Sequence, residues 1–281
     1  MKKSHGPQKE STKKRRVAGW QAIAIGLFLF YMLLPILSTY IFSVATRWDR
    51  TILPEGYTLQ FYAKAVGASY FGITLRNSLI LSLATVVVGL VIIVPTVYWV
   101  HIRLSKAKPL LDILMILPFG IPTVVLALAL VQIYNFRPLA RSPLLLIGAV
   151  VIYSMPFMYR PVSNALQAID SHTLTEASQS LGANLFHILA EVIIPNILPG
   201  ILSGSLLVFS TVFAEFTLTS LIVGAKFKTF PLLLVEYTRI NGNTAAAFSV
   251  ISFTIAWLGS MLILWVGSQG KARATGSIQA R

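Results

Sequence analysis

Long apolar stretches almost free of charge constrain this chain more than any other feature. Ala18 to Val44 contains no Asp, Glu, Lys or Arg. Crossing the hydrocarbon core takes about 20 apolar residues, whereas a signal-peptide core is about 7–15. The stretch is therefore expected to be a retained membrane helix, interrupted or kinked near Pro35. Similar stretches lie at about 77–100, 111–134, 142–160, 197–224 and 244–267. Only 11% of the residues are charged and 56% are hydrophobic, where a soluble domain carries roughly 25% charged residues. Lipid offers no hydrogen bonds to the backbone, so spanning segments must be helices or a closed barrel. Stretches of this length predict an all-α membrane protein with six transmembrane helices.

The net charge of +14 would suit nucleic acid in a soluble chain. With a mean hydropathy of +0.75, the better reading is that Lys and Arg hold segments on the cytosolic side of a membrane. Six spans put both ends on one side. Residues 1–17 then form a basic, disordered cytosolic tail and 268–281 a second cytosolic tail. Arg103, Lys106 and Lys108 mark a cytosolic loop. Arg47 to Gly72 reads as an outer loop, with a turn at Pro54-Glu55-Gly56 and a short surface helix near Leu59 to Val66. Ala225 to Asn243 reads as another outer loop. The absence of cysteine excludes a disulfide framework, a thiolate metal site and a cysteine nucleophile. No H-E-x-x-H or G-x-S-x-G occurs to support an intramembrane enzyme.

Asp170 to Gly200 is the longest polar interruption in the apolar part of the chain. Thr173 and Glu176 have capping-box spacing, which predicts Thr173 as the cap and Glu176 reaching back to the cap amide. Leu174, Ala177 and Leu181 then share one helix face. Gly182 stands where a left-handed C-terminal residue is wanted. Asn184 can cap a second short helix carrying Phe186, Ile188, Leu189 and Val192, ended by Pro195. The expectation is a knuckle of two short helices over 170–195, its apolar face too short to span a membrane and in need of a partner.

This stretch resembles a known motif. Glu176-Ala177-Ser178, then Gly182, then Val192-Ile193-Ile194-Pro195 is similar to the E-A-A-x3-G-x9-I-x-L-P loop of binding-protein-dependent ABC importer permeases. The spacing agrees throughout, with Ser178, Val192 and Ile194 as small or apolar departures. Arg76-Asn77-Ser78-Leu79 resembles the start of that family's five-span core. Leu117-Pro118 through Ile121-Pro122 resembles its third-span prolines, and Met155-Pro156-Phe157 the end of its fourth. Phe213-Ala214-Glu215-Phe216, with Gly224 and Thr229-Phe230-Pro231, is similar to its polyamine, iron and phosphonate branch. The resemblance implies the five-helix core of type I ABC importer permeases and a cytosolic coupling helix docked on a separate ATPase. Glu176, Ala177, Ser178, Leu181, Gly182, Val192, Ile194 and Pro195 would carry that coupling. It also implies an ATPase dimer, a second permease subunit and an extracytoplasmic solute-binding protein as partners, in a bacterial cytoplasmic membrane.

No G-x-x-x-x-G-K-[ST] occurs, so ATP is expected to be used by the partner and no cofactor is expected on this chain. The run from Gly224 to Lys228-Thr229 has the wrong spacing. Glu215 is the acidic residue placed well inside a span, which is costly and suits a cavity or a structural hydrogen bond. With Asn77 and Pro122 it is a candidate for the substrate path, and it would suit a polyamine such as spermidine or putrescine. Lys226, Lys228 and Arg239 would equally suit an anionic substrate or an acidic binding protein. The remaining rivals are 2-aminoethylphosphonate or ferric iron as cargo, and a gradient-driven secondary transporter that would not need the knuckle.

Overall fold

A computed structural model describes residues 8–49 and 51–279, with side chains over 20–49 and 51–265. The helices in chain order are α1 (Gln8–Val44), α2 (Gln60–Val66), α3 (Phe71–Arg103), α4 (Lys108–Ile116), α5 (Thr123–Ile133) and α6 (Pro143–Ala168). They continue with α7 (Ser171–Ser180), α8 (Leu185–His187), α9 (Ile194–Asn196), α10 (Leu198–Phe213), α11 (Thr217–Ile222), α12 (Phe230–Thr238) and α13 (Gly242–Gln279). Among the described residues, four helices are long and apolar enough to cross a membrane: α1 from Trp20, α3, α6 and α13 to Trp265. Two further candidates are bent pairs, Ser105–Gly120 with Thr123–Ile133 at 96° and Leu185–Asn196 with Leu198–Phe213 at 79°. Counting each pair as one span gives six.

Several boundaries differ from expectation. The first helix already begins at Gln8, so the described part of the basic tail, 8–17, is helical. Residues 1–7 lie outside the described residues. α1 runs unbroken through Pro35, and α13 likewise continues through the second tail to Gln279. α6 extends through Pro156 and Pro161 to Ala168, beyond the expected 160. The fifth span ends at Phe213 instead of 224, because the backbone breaks at 214–216 before α11. Pro118, Gly120 and Pro122 do break the third: a short 3-10 turn over Leu117–Gly120 gives way to an extended Ile121, and α5 leaves in a new direction.

The centre of the molecule is the mutual packing of α3, α6 and α10. In lipid there is little hydrophobic drive between apolar helices, so close van der Waals contact and small residues carry the association. Gly200 and Gly204 supply that closeness, four residues apart on one face of α10. A Cβ on Gly200 would lie 2.5 Å from Ala165 Cβ and 2.6 Å from the Pro161 carbonyl oxygen of α6. One on Gly204 would lie 2.8 Å from Met158 Sδ. α13 closes on the same helix, where a Cβ on Gly259 would meet the Phe209 ring at 2.5 Å.

A second, aromatic cluster joins α2, α12 and α13 at the N-terminal end of α3. Phe71 and Phe230 meet edge to face with centroids 5.6 Å apart, and Phe248 is 5.6 Å from Phe230. The expected short helix near 59–66 is α2, and it buries Phe61 and Ala65 in this cluster. The loop before it is pinned to α1: Thr46 N–H donates to the Gly56 carbonyl at 2.9 Å, and Thr58 N–H to the Val44 carbonyl at 2.7 Å.

Candidate functional site

The knuckle between α6 and α10 is built by local capping. Asp170, not Thr173, caps α7, accepting the Thr173 N–H at 3.2 Å. Bonds from the Thr173 side chain and its backbone N–H hold the Asp170 carboxyl below the usual carboxylate range. The cap is thus ionised at neutral pH, and what it contributes is lost only as pH falls through that lowered value. Glu176 is exposed and its carboxylate makes no hydrogen bond, so the expected reciprocal box does not form. The reason is register: α7 starts at Ser171, which places Glu176 in its interior.

Gly182 ends α7 with φ +83°. Its N–H donates to the Gln179 carbonyl at 2.9 Å, and the Ala183 N–H donates to the Ser178 carbonyl at 3.1 Å. This pair of bonds satisfies the terminal carbonyls and turns the chain. A Cβ there would touch nothing within 4 Å, so glycine is needed for conformation and not for room. Asn184 then caps α8 as expected, accepting the His187 N–H at 2.9 Å.

Pro195 does not end the second helix. The chain widens into a π turn over Ile188–Ile193 and stays helical to Asn196. The wider turn relieves the clash between the Pro195 ring and the Glu191 carbonyl. It also places Ile188 and Ile193 fully inside the core, with Ile197 beside them.

The site residues fall into two groups. Ser178, Val192, Ile194 and Pro195 are half-buried, and Ile194 packs on the helical core. Glu176, Ala177, Leu181 and Gly182 are exposed at the tip. Leu181 is 89% exposed and Phe186, which the motif does not contain, is 76% exposed. Phe186 could have been singled out as a large aromatic inside a polar loop. The tip thus presents an unpartnered apolar surface on a rigid, doubly capped turn.

The three path candidates do not form one cluster. Asn77 is 7% exposed, and its Nδ2 donates to the Lys228 carbonyl at 2.9 Å. One residue on, Ser78 Oγ accepts the Phe230 N–H at 2.9 Å. The Arg76-Asn77-Ser78 and Thr229-Phe230-Pro231 segments are therefore two halves of one latch at the N-terminal end of α3. Lys228 adds an ion pair with Glu236 and stands 4.9 Å over the Tyr70 ring. Pro122 and Glu215 belong together at the level of helices: Pro122 precedes α5, Glu215 precedes α11, and α5 packs on α11.

Glu215 is only 8% exposed. Its carboxylate accepts the Leu218 N–H at 2.9 Å, the Thr219 N–H at 3.1 Å and the Thr219 hydroxyl at 3.2 Å. It caps the first turn of α11, where the amide dipoles favour a negative group. Among the described residues no Lys or Arg lies within ion-pair distance of it.

Residues 98–255 match the family of binding-protein-dependent transport system inner membrane components. The match runs from the end of α3 into α13 and takes in the whole knuckle. The chain belongs to this family. The permease is 27% identical over 274 residues to the spermidine/putrescine transport system permease protein PotB of Escherichia coli, covering 90% of this chain and 95% of PotB. It is 26% identical over 251 residues to the probable ABC transporter permease protein y4fN of Sinorhizobium fredii, covering 86% of this chain but only 43% of that longer protein. A probable sulfate transport system permease protein, cysT of Nephroselmis olivacea, is 26% identical over 277 residues, covering 92% and 93%. The fold is that of a chain in the crystal structure of a bacterial ABC transporter involved in the import of the acidic polysaccharide alginate. The TM-score is 0.71 at 13% identity, covering 93% of this chain and 98% of that one. The permease is thus a membrane-embedded ABC importer subunit that transports and is not itself an enzyme.

Proposed function

We propose that the permease forms half of the path of an ATP-driven importer, with the knuckle tip docked on a separate cytosolic ATPase. The observation that carries this reading is the exposed pair Leu181 and Phe186 on a capped turn. Burying each would stabilise a complex by about 1.5–3 kcal/mol, and nothing among the described residues covers them. This orientation puts both termini and the knuckle in the cytosol. The latch at the far end of α3 then faces the binding protein. A second permease subunit completes the path, and the chain itself holds no ATP.

The proposed cargo is a polyamine such as spermidine or putrescine. The similarity to PotB supports it, as does a buried carboxylate without a cationic partner. A carboxylate offers about four lone-pair positions, and three at Glu215 are taken. The similarity to a sulfate permease favours a second reading in which the cargo is an anion such as 2-aminoethylphosphonate. Vesicles reconstituted with the permease, its ATPase, its partner permease and its binding protein should accumulate labelled spermidine only with internal ATP. Accumulation by this chain alone, without ATP, would instead establish a gradient-driven transporter.

Glu215→Gln should lower spermidine uptake by at least about tenfold, the effect of about 1.4 kcal/mol, while leaving ATPase association intact. If uptake and assembly fall together, Glu215 acts only as the cap of α11. Unchanged uptake removes it from the path.

A further inference from the structure

α3 is one helix from Phe71 to Arg103, with Pro95 inside it, and its two ends are hydrogen-bonded to two different segments of the chain. Near its C-terminal end, Tyr98 Oη and Thr175 Oγ1 lie 3.0 Å apart and are buried. The Thr175 hydroxyl donates to the Ser171 carbonyl at 2.6 Å, so Tyr98 is the donor between them. Among the described residues this is the one hydrogen bond from the knuckle to another helix of the bundle. The His101 and His172 rings flank it, with centroids 5.6 Å apart. Near the other end, Asn77 and Ser78 hold the 228–230 backbone. The two sets of bonds are about 30 Å apart along the helix, at about 1.5 Å per residue.

We infer that α3 is the element that passes movement of the knuckle to the latch segment on the far face, and that Tyr98 is the positioning residue that joins it to the knuckle. The inference rests on the proposed docking of an ATPase at the knuckle. α3 stays helical through Pro95 from the knuckle bond to the latch bonds, whereas the other routes out of the knuckle leave the helix altogether. α6 reaches it through the extended Ile169 and α10 through the 79° break. Coupling between the two faces is reciprocal, so a partner bound at the latch should be felt at the knuckle through the same bond.

The absence of cysteine makes a single reporter clean. Lys226→Cys places one thiol on the exposed turn just before the latch. In the complex of this chain with its ATPase and partner permease, the maleimide labelling rate is compared between nucleotide-free and vanadate-trapped states. The expected result is a severalfold change on trapping, lost in the Tyr98→Phe background and equally in Thr175→Val, with the ATPase still co-purifying. The double variant should add nothing to either single one, as for two halves of one bond. A nucleotide-dependent change that persists in Tyr98→Phe overturns the inference. So does the absence of any change in the parent complex. If the ATPase fails to co-purify with the parent chain, the docking reading has failed, and this inference falls with it. A purely structural role would lower thermal stability without removing the nucleotide dependence, and melting curves of the same variants separate the two.

Discussion

Gly200→Ala should lower the thermal midpoint of the detergent-solubilised permease, and Gly200→Leu should prevent a stable fold. Two effects compete. Alanine in a helix is favoured over glycine by about 1 kcal/mol. Against this, the new Cβ would stand 2.6 Å from the Pro161 carbonyl oxygen and 2.5 Å from Ala165 Cβ. Neither obstacle is the end of a flexible side chain, so α6 and α10 must separate, and overpacking of this kind costs about 1–3 kcal/mol. The clash should win. Gly204→Ala is the internal comparison: Met158 Sδ at 2.8 Å can swing away, leaving the Met158 backbone at 3.2 and 3.3 Å, so its loss should be smaller than that of Gly200→Ala. Equal melting curves for Gly200→Ala and the parent would show that the two helices are not held at this approach.

Leu181→Asp should abolish ATP-driven uptake while leaving the permease folded. The side chain is 89% exposed, so no internal contact is lost and gel filtration should be unchanged. In the docked assembly the same position would be buried. Losing the apolar contact forfeits about 1.5–3 kcal/mol, and the carboxylate adds a desolvation cost. Association with the ATPase should weaken by at least about a hundredfold. Phe186→Asp should behave alike, and Phe186→Leu should retain most of the binding. Normal uptake by Leu181→Asp would place the ATPase contact elsewhere.

The long apolar helices were legible because uncharged length is a strong signal, although two of the six expected spans are bent pairs. The ends were less so. Hydropathy does not register that α11 is a separate helix, since 197–224 is uncharged throughout apart from Glu215. The break is visible only as Glu215 capping Leu218 and Thr219. In the knuckle, Gly182 and Asn184 announced their roles because a left-handed turn and an N-cap each demand few residue types. Thr173 misled because Asp170 offers a competing cap three residues earlier, and spacing alone does not rank the two. Pro195 misled because the π turn over Ile188–Ile193 just before it makes room for its ring, so the chain stays helical to Asn196. The latch was out of reach, as Asn77 and Lys228 are 151 residues apart. The Gly200 and Gly204 pair has the spacing of a small-residue packing motif, but its role was not foreseen.

α1 stands apart from all of this. The apolar window of its span has no buried residue, it packs chiefly on α13, and it lies outside the family match at 98–255. Few side chains elsewhere depend on its sequence for their shape. In descent such a helix is a detachable module. Substitutions along it should accumulate faster than along α3, α6 or α10, and a lineage could exchange it for another membrane anchor without repacking the transport core.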